Sequence, residues 1–286
     1  MLETEIETFW DDHPCGDQIV GGLDDAFLGD YERFFDRYDA WRYDRERHIL
    51  PCLDALDLED RRVLEIGLGQ GADSEQLIRR GARWTGVDLT AAAVARVRAR
   101  IALRGLPYDG LRQASALDLP FADRSFDMVF SHGVLHHIPD VRKAQTEIAR
   151  VLEPQGELVV MLYARRSLNY QLAIRVVRRA ALLGIYPLAH RGVVKPRGIV
   201  AQHVENARRD GLFRYLKMDS FVHRSTDGAL NPYTKVYDLR DVAADFPAFR
   251  ITRAYKVYMH APPLPVHKLP GASKVGWHLW VHLSPR

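Results

Sequence analysis

The sequence is poor in cysteine, in long apolar runs and in repetition. Only Cys15 and Cys52 occur in 286 residues, too few for a disulfide framework or a cysteine zinc site. No apolar stretch approaches the roughly 18 residues of a membrane-spanning helix. The opening MLETEIETFWDDHPC is acidic and lacks the basic-then-apolar pattern of an export signal, so a cytoplasmic location is expected. No internal repeat or low-complexity tract is visible. What is present is ordinary globular composition, with 47% hydrophobic and 27% charged residues, which argues against disorder. At roughly 150 residues per domain, the length suits one large domain or one domain with a sizeable insert.

Net charge is also small, +3, but it is unevenly placed. Residues 1–60 hold 18 acidic and five basic residues. Residues 164–217 hold ten arginines and two lysines against Glu205 and Asp210. Such polarity suggests two parts with different tasks, facing each other. It does not indicate nucleic acid, which asks for a coherent basic face, and no nucleic-acid partner is expected. The basic stretch suits either the surface of an anionic membrane, without a span, or an anionic substrate.

Periodicity divides the chain. FLGDYERFFDRYDAWRYDRERHI places Tyr31, Phe34, Phe35, Tyr38, Trp41 and Tyr43 at spacings of three and four, mostly on one helical face. From Arg62 short apolar strands alternate with helices: RRVLEIG, a helix over about 72–80, WTGVD, a helix over about 90–104, a strand near 111–114, FDMVFS, a helix after Pro139, and GELVVMLY. That alternation means right-handed βαβ units and a parallel sheet. LNYQLAIRVVRRAALLG then reads as a basic helix, with Arg175, Arg178 and Arg179 on one side. ADFPAFRITRAYKVYM and KVGWHLWVHL are β-rich and suited to close the sheet as an antiparallel pair. The expected organisation is a helical cover (1–60), a core (61–163), a substrate-binding insert (164–237) and closing strands (238–286).

The sharpest feature is VLEIGLGQGAD, residues 63–73. Gly67, Gly69 and Gly71 sit between a strand and a helix, where glycine lets the backbone turn tightly and approach a ligand. Gly67, Gly69 and Ala72 also satisfy the dinucleotide pattern G-x-G-x-x-A. Asp88 ends the next strand, where a carboxylate accepts both hydroxyls of a ribose. Glu65 precedes the turn by two residues; a carboxylate there repels a pyrophosphate and suits a cationic amino group.

With GVDLT and ASALDLPFADRSFDMVFSHGVLHHIPD following in order, residues 62–162 resemble the class I S-adenosylmethionine-dependent methyltransferases. The resemblance implies an α/β, Rossmann-like fold: a seven-stranded, mostly parallel sheet with helices on both faces, a helical N-terminal cover and a helical insert after strand 5. It implies S-adenosyl-L-methionine as cofactor. Gly67, Gly69 and Gly71 would border its methionine and ribose, Glu65 would serve its amino group directly or through water, Asp88 its ribose, and Leu89 would pack on its adenine. Ser115 stands where relatives often carry an acid for the adenine amino group, and Ala116 offers a backbone amide there. Ser131, His132 and Gly133 would pass the reacting end.

His136 and His137 read either as scaffold or as a general base. No metal is expected, because adjacent histidines diverge and no third ligand is evident. Tyr31, Tyr38, Tyr43 and Arg42 are candidates for a cover over the reacting end, with Trp10 and HPCG (13–16) beside them. Asn231, Tyr233, Lys235 and Tyr237 of STDGALNPYTKVY are candidates for the substrate. The expected function is methyl transfer to a small organic molecule. Two alternatives stand beside it: an enzyme of the same fold using the cofactor for cyclisation or rearrangement, and a cofactor-sensing binding module.

Overall fold

The computed structural model describes residues 2–14, 16–23, 27 and 29–286; Cys15 of the HPCG segment lies outside them. Seven strands form one sheet in the order β3-β2-β1-β4-β5-β7-β6. They are β1 (Arg62–Ile66), β2 (Arg83–Asp88), β3 (Gly110–Gln113), β4 (Phe126–His132), β5 (Leu152–Tyr163), β6 (Phe249–Val257) and β7 (His278–Pro285). β1 to β5 are parallel, and β7 runs antiparallel between β5 and β6. The two β-rich terminal segments do close the sheet as an antiparallel pair. β5 begins earlier than its apolar run, because Leu152 pairs with Phe126 across a bulge.

Strand alternation builds a core on each face of the sheet. Leu64, Ile66, Val129, Val160 and Val281 face one side with Val141 and Ile148 of the helix Val141–Val151. Val63, Trp84, Met128, Phe130, Val159 and Trp280 face the other, against Leu53, Leu77, Val97 and Ile101. The sheet order reverses between β1 and β4, so the crevice at their carboxyl ends is where such sheets take ligands.

The N-terminal part is helical: α1 (Leu2–Asp12), α2 (Tyr31–Arg45) and α3 (Ile49–Asp54). α2 starts on Asp30, whose side chain accepts from the Arg33 amide at 3.0 Å. Phe34, Phe35 and Tyr38 are its buried face. The remaining core helices are α4 (Ala72–Arg79) and α5 (Ala91–Arg104). α5 is capped by Thr90 at its start and by Gly105 in the left-handed region at its end.

The acidic N-terminal segment directs carboxylates at the core. Its carboxylates meet a stripe on α5, where Arg96, Arg100 and Arg104 stand four residues apart on one face. Arg96 binds Asp17 at 2.9 Å, Arg100 binds Asp39, and Arg104 binds Asp36. Arg100 is 1% exposed. Its guanidinium also takes Glu75 at 2.8 Å and lies over the Phe35 ring at 4.9 Å. The charge asymmetry therefore fastens the cover to the core.

The insert is a separate helical layer. Asn169–Arg178 winds as a π-helix and continues as the α-helix Arg179–His190, followed by the helix Gly198–Asp210. Ile174, Leu182, Val204, Tyr215, Phe221 and Trp277 form its own small core.

Candidate functional site

The carboxyl ends of β1, β2 and β4 open into a cavity of about 910 Å³, at the upper end of the range for small-molecule sites. One wall is the turn after β1. Gly67, Gly69 and Gly71 have φ of 82°, 52° and 74°, values that L side chains rarely adopt. A Cβ at Gly67 would lie 2.1 Å from Val134, so glycine is needed there for space as well as for φ. Gly67 and Gly69 line the cavity. Gly71 does not; it starts α4 and packs towards Val97 and Arg100.

Asp88 lies at the lip of β2. Its carboxylate accepts from the Leu68 amide at 2.7 Å and from the Thr90 amide and hydroxyl at 2.9 and 3.0 Å. It thus ties the glycine turn to the next strand while lining the cavity with Leu89. Burial pushes its carboxyl up, against the hydrogen bonds from Thr90, Leu68 and Gly69. Ser115 and Ala116 line the same end. Ser115 donates to the Glu3 carboxylate of α1. The negative charge that Ser115 lacks is therefore supplied from the N-terminal helix, and Glu3 itself lines the cavity.

Glu65 lies elsewhere. Its carboxylate is 1% exposed and accepts from Trp84 Nε1 at 2.8 Å beneath the turn. Burial, with the nearby Asp73 charge, pushes it up to about 8. It does not line the cavity, which corrects the expectation of direct contact with a ligand. The acid that reaches the cavity beside the turn is Asp73, at the end of VLEIGLGQGAD. It pairs with Arg42 of α2 at 2.7 Å and with His132 Nδ1 at 2.7 Å. Burial opposes ionisation, but Arg42 and His132 hold its carboxyl well below the usual range. Asp73 was missed because it follows the glycine motif and reads as the polar first turn of a helix.

His132 and Gly133 line the cavity as expected. Ser131 does not; it is fully buried and donates to the Ile66 carbonyl at 3.0 Å, locking β4 to β1. Of the cover residues, Tyr38 and Arg42 line the cavity, with Trp10, His13 and Pro14. Tyr43 donates to the Ala72 carbonyl at 3.1 Å behind the wall. Tyr31 packs on Phe35 in a separate small core.

The two histidines separate cleanly. His136 is fully buried, its ring 3.9 Å from that of Tyr163, and it does not line the cavity. Burial and the neighbouring histidines push it far down, and a base that reaches no substrate is excluded. His137 does line the cavity. Its Nδ1 lies 2.8 Å from the Tyr233 carbonyl. A carbonyl only accepts, so Nδ1 carries the proton and Nε2 keeps its lone pair. Nε2 faces Asp227 Oδ2 at 3.4 Å, and Asp227 Oδ1 accepts from the Tyr163 hydroxyl at 2.8 Å. The Trp10 ring meets His137 edge to face at 5.1 Å. Burial lowers the His137 pKa, opposed by Asp227 and the Tyr233 carbonyl.

The neighbouring rings do not diverge: their centroids are 4.3 Å apart. With Asp227 they bring three potential metal-ligand atoms within 4.8 Å, as do Glu46, His132 and His278. The third group of each set was not apparent in the sequence, because it comes from a distant segment.

Asn231, Tyr233, Lys235 and Tyr237 do not line the cavity. Tyr237 pairs with the end of β5 through Ala164 and is 1% exposed. Lys235 binds Asp245. Asn231 donates to Thr234 Oγ1 at 2.7 Å, and Tyr233 stacks on His223. The STDGALNPYTKVY segment is a brace: it presents the Tyr233 carbonyl to His137 and carries Asp227 to its Nε2.

Residues 64–160, about a third of the chain, match the family described as "Methyltransferase domain". Residues 64–160 thus carry a methyltransferase domain. The chain is 40% identical over 102 residues to a fatty-acid O-methyltransferase of Mycolicibacterium smegmatis, covering 35% of this chain and 36% of the relative. It is 35% identical over 130 residues to a ubiquinone biosynthesis O-methyltransferase of Alkalilimnicola ehrlichii, covering 44% and 51%. The methyltransferase domain thus spans about half or less of these relatives. A solved methyltransferase from Methanosarcina mazei shares the fold, with a TM-score of 0.55 at 18% identity over 82% of this chain and 97% of that one. One from Aquifex aeolicus does so with a TM-score of 0.52 at 13% identity, over 90% and 99%.

The cofactor of this domain family is S-adenosylmethionine, and the cavity's donor set fits it. The methyltransferase domain offers a half-buried carboxylate (Asp88) for vicinal hydroxyls and a glycine turn closed to any side chain. Ser115 with Glu3 suits an exocyclic amine, and ionised Asp73 suits an ammonium group.

Proposed function

We propose that this protein transfers a methyl group from S-adenosylmethionine to a hydroxyl of a small organic molecule. The observation that carries this reading is His137. Its ring lines the same cavity as the glycine turn and Asp88, Nδ1 is held on the Tyr233 carbonyl, and the buried Nε2 has no hydrogen-bond partner.

Asp88 would hold the ribose, Ser115 and Glu3 the adenine edge, and Asp73 with Arg42 the amino-acid end. When bound, the cofactor supplies an activated methyl group on a sulfonium. The chain's task is to place a nucleophile in line with that methyl and to exclude water. Trp10, Tyr38 and Trp41 line the cavity from the N-terminal helices and keep it dry. His137 Nε2 accepts the proton of the incoming hydroxyl, and Asp227 stabilises the imidazolium that results. The order of groups, carbonyl to Nδ1 and carboxylate near Nε2, needs no movement of the ring.

The test is direct. Calorimetry is expected to show binding of S-adenosylmethionine and S-adenosylhomocysteine, and none of NAD. Incubation with hydroxylated acceptors is expected to yield S-adenosylhomocysteine together with a methylated product. Tight NAD binding without response to S-adenosylmethionine would sink the reading. A rearranged or cyclised, unmethylated product formed without S-adenosylhomocysteine would replace it by another use of the cofactor.

A further inference from the structure

Arg178 ends the π-helical turn of the insert and lines the cavity. Its Nε and Nη2 donate to the Pro262 carbonyl at 2.9 and 2.7 Å, and Nη2 lies 3.3 Å from Asn169 Oδ1. Nη1 donates to the Ser225 carbonyl. All of these acceptors are neutral. Among the described residues no carboxylate pairs with it, although most other buried arginines here have one. Burial alone pushes it down to about 10, so it stays charged at neutral pH. The guanidinium has five N–H groups, and one hydrogen on Nη1 is left for a ligand.

The surroundings offer it no counter-charge either. Ala181, Leu182 and Ile185 are apolar lining residues of the same helix. His203 and His260 line the cavity nearby, and burial together with Arg178 pushes each down to about 4, so both are neutral. A half-buried cation solvated only by carbonyls is costly to keep unpaired. Its positive charge and its one remaining N–H suit a single oxygen of a carboxylate.

The position also relates it to the base. Ser225 touches Arg178 and Asp227 touches His137. They lie two residues apart, about 7 Å of extended chain at most.

We propose that Arg178 binds an anionic group of the substrate, a carboxylate on an otherwise apolar body that offers its accepting hydroxyl to His137. The inference rests on the methyl-transfer reading for the role of His137. The anion site itself is tested by binding alone.

The probes are 3- and 4-hydroxybenzoate, longer hydroxyalkanoates, and the methyl ester of each, titrated into the full chain saturated with S-adenosylhomocysteine. Each acid that binds is expected to do so at least tenfold more tightly than its ester. Arg178→Gln is expected to remove that preference, leaving ester binding and S-adenosylhomocysteine affinity unchanged. Arg178→Lys is expected to retain part of it. Equal binding of acids and esters by the wild-type chain overturns the proposal, whether or not the variants fold. So does an acid preference that survives in Arg178→Gln, or the absence of binding across the whole panel. Methyl transfer is read separately, as S-adenosylhomocysteine formation. Acids that bind through Arg178 without turnover would overturn the transferase reading and leave the anion site standing.

Discussion

At His137 and Asp227, two segments 90 residues apart in sequence make one chemical unit, and neither residue is informative without the other. The tautomer set by the Tyr233 carbonyl leaves Nε2 as acceptor. Asp227 raises the proton affinity of the ring, while burial lowers it. His137→Asn is therefore expected to lower turnover by about 10²–10⁴ with little change in cofactor affinity. Asp227→Asn removes the charge and keeps the shape. The His137 pKa falls, so the acid limb of the rate profile is expected to move to lower pH. Steady-state rates between pH 5 and 9 check both; an unchanged limb in Asp227→Asn would show that the carboxylate is structural. His136→Asn is expected to lower stability and to affect all substrates alike. At the cofactor end, Glu3→Gln is expected to weaken S-adenosylmethionine binding several-fold, read by calorimetry, because the charge beside Ser115 is lost. Gly67, Gly69 and Asp88 were legible from the strand–turn–helix pattern and the acid ending the next strand, and His132 only through the family resemblance. Asp73, Glu3, Asp227 and Arg178 were not, since each acquires its role only from a neighbour brought up by the fold.

The helix α5 shows how an element is read twice. The sequence shows it as a helix over about 90–104, rich in alanine and arginine. Its apolar positions Val94, Val97 and Ile101 pack on the sheet, and Arg96, Arg100 and Arg104 lie on another face. In the structure that face is covered, because Asp17, Asp36 and Asp39 arrive from the N-terminal segment. Strands and core helices were legible from their alternation, and so was the closing antiparallel pair. The docking of the cover was not, because complementary charge says which surfaces attract and not which partner is chosen. Arg100 is the element's keystone: removing its side chain leaves Asp39 as a partly buried, unpaired carboxylate and Glu75 with Arg79 as its close partner. Arg100→Ala is expected to destabilise the protein by about 3–5 kcal/mol, measured by urea unfolding. Arg104→Ala, on a more exposed pair, is expected to cost under about 1 kcal/mol. Similar losses in both variants would mean that Arg100 acts only through its packing on Phe35.

At the scale of the molecule, cover, core and insert enclose one cavity and populate it with buried histidines. Their opening is our reading of the cover and insert: hydrogen exchange in 2–45 and 169–237 is expected to slow when S-adenosylhomocysteine and an acceptor bind, and equal protection in both states would refute it. The histidines make stability depend on pH. Burial lowers His48 to about 3 and His203 and His260 to about 4, against about 6.5 in an unfolded chain. Between those values the unfolded state binds protons that the native state does not, so stability is complete above about pH 6.5 and declines as pH falls towards 4. Asp73, held low, adds to the loss as pH drops below about 4. Glu65 has the opposite sign. Its native pKa of about 8 lies above the ordinary carboxyl value, so its contribution is complete below about 4.5 and is lost as pH rises through 8. Buried histidines, with His136 and His278 also pushed down, outweigh Glu65 below pH 6.5, and above it Glu65 still titrates, with burial raising Asp39, Glu46 and Asp88 in the same direction. Unfolding free energy is therefore expected to pass through a maximum near pH 6.5. Glu65→Gln, which keeps an acceptor for Trp84 without the titration, is expected to flatten the alkaline side and to steepen the acid side, where Glu65 no longer offsets the histidines. Urea unfolding at half-unit steps from pH 4.5 to 8.5 measures both limbs. An alkaline decline that persists in Glu65→Gln would place its origin in another group.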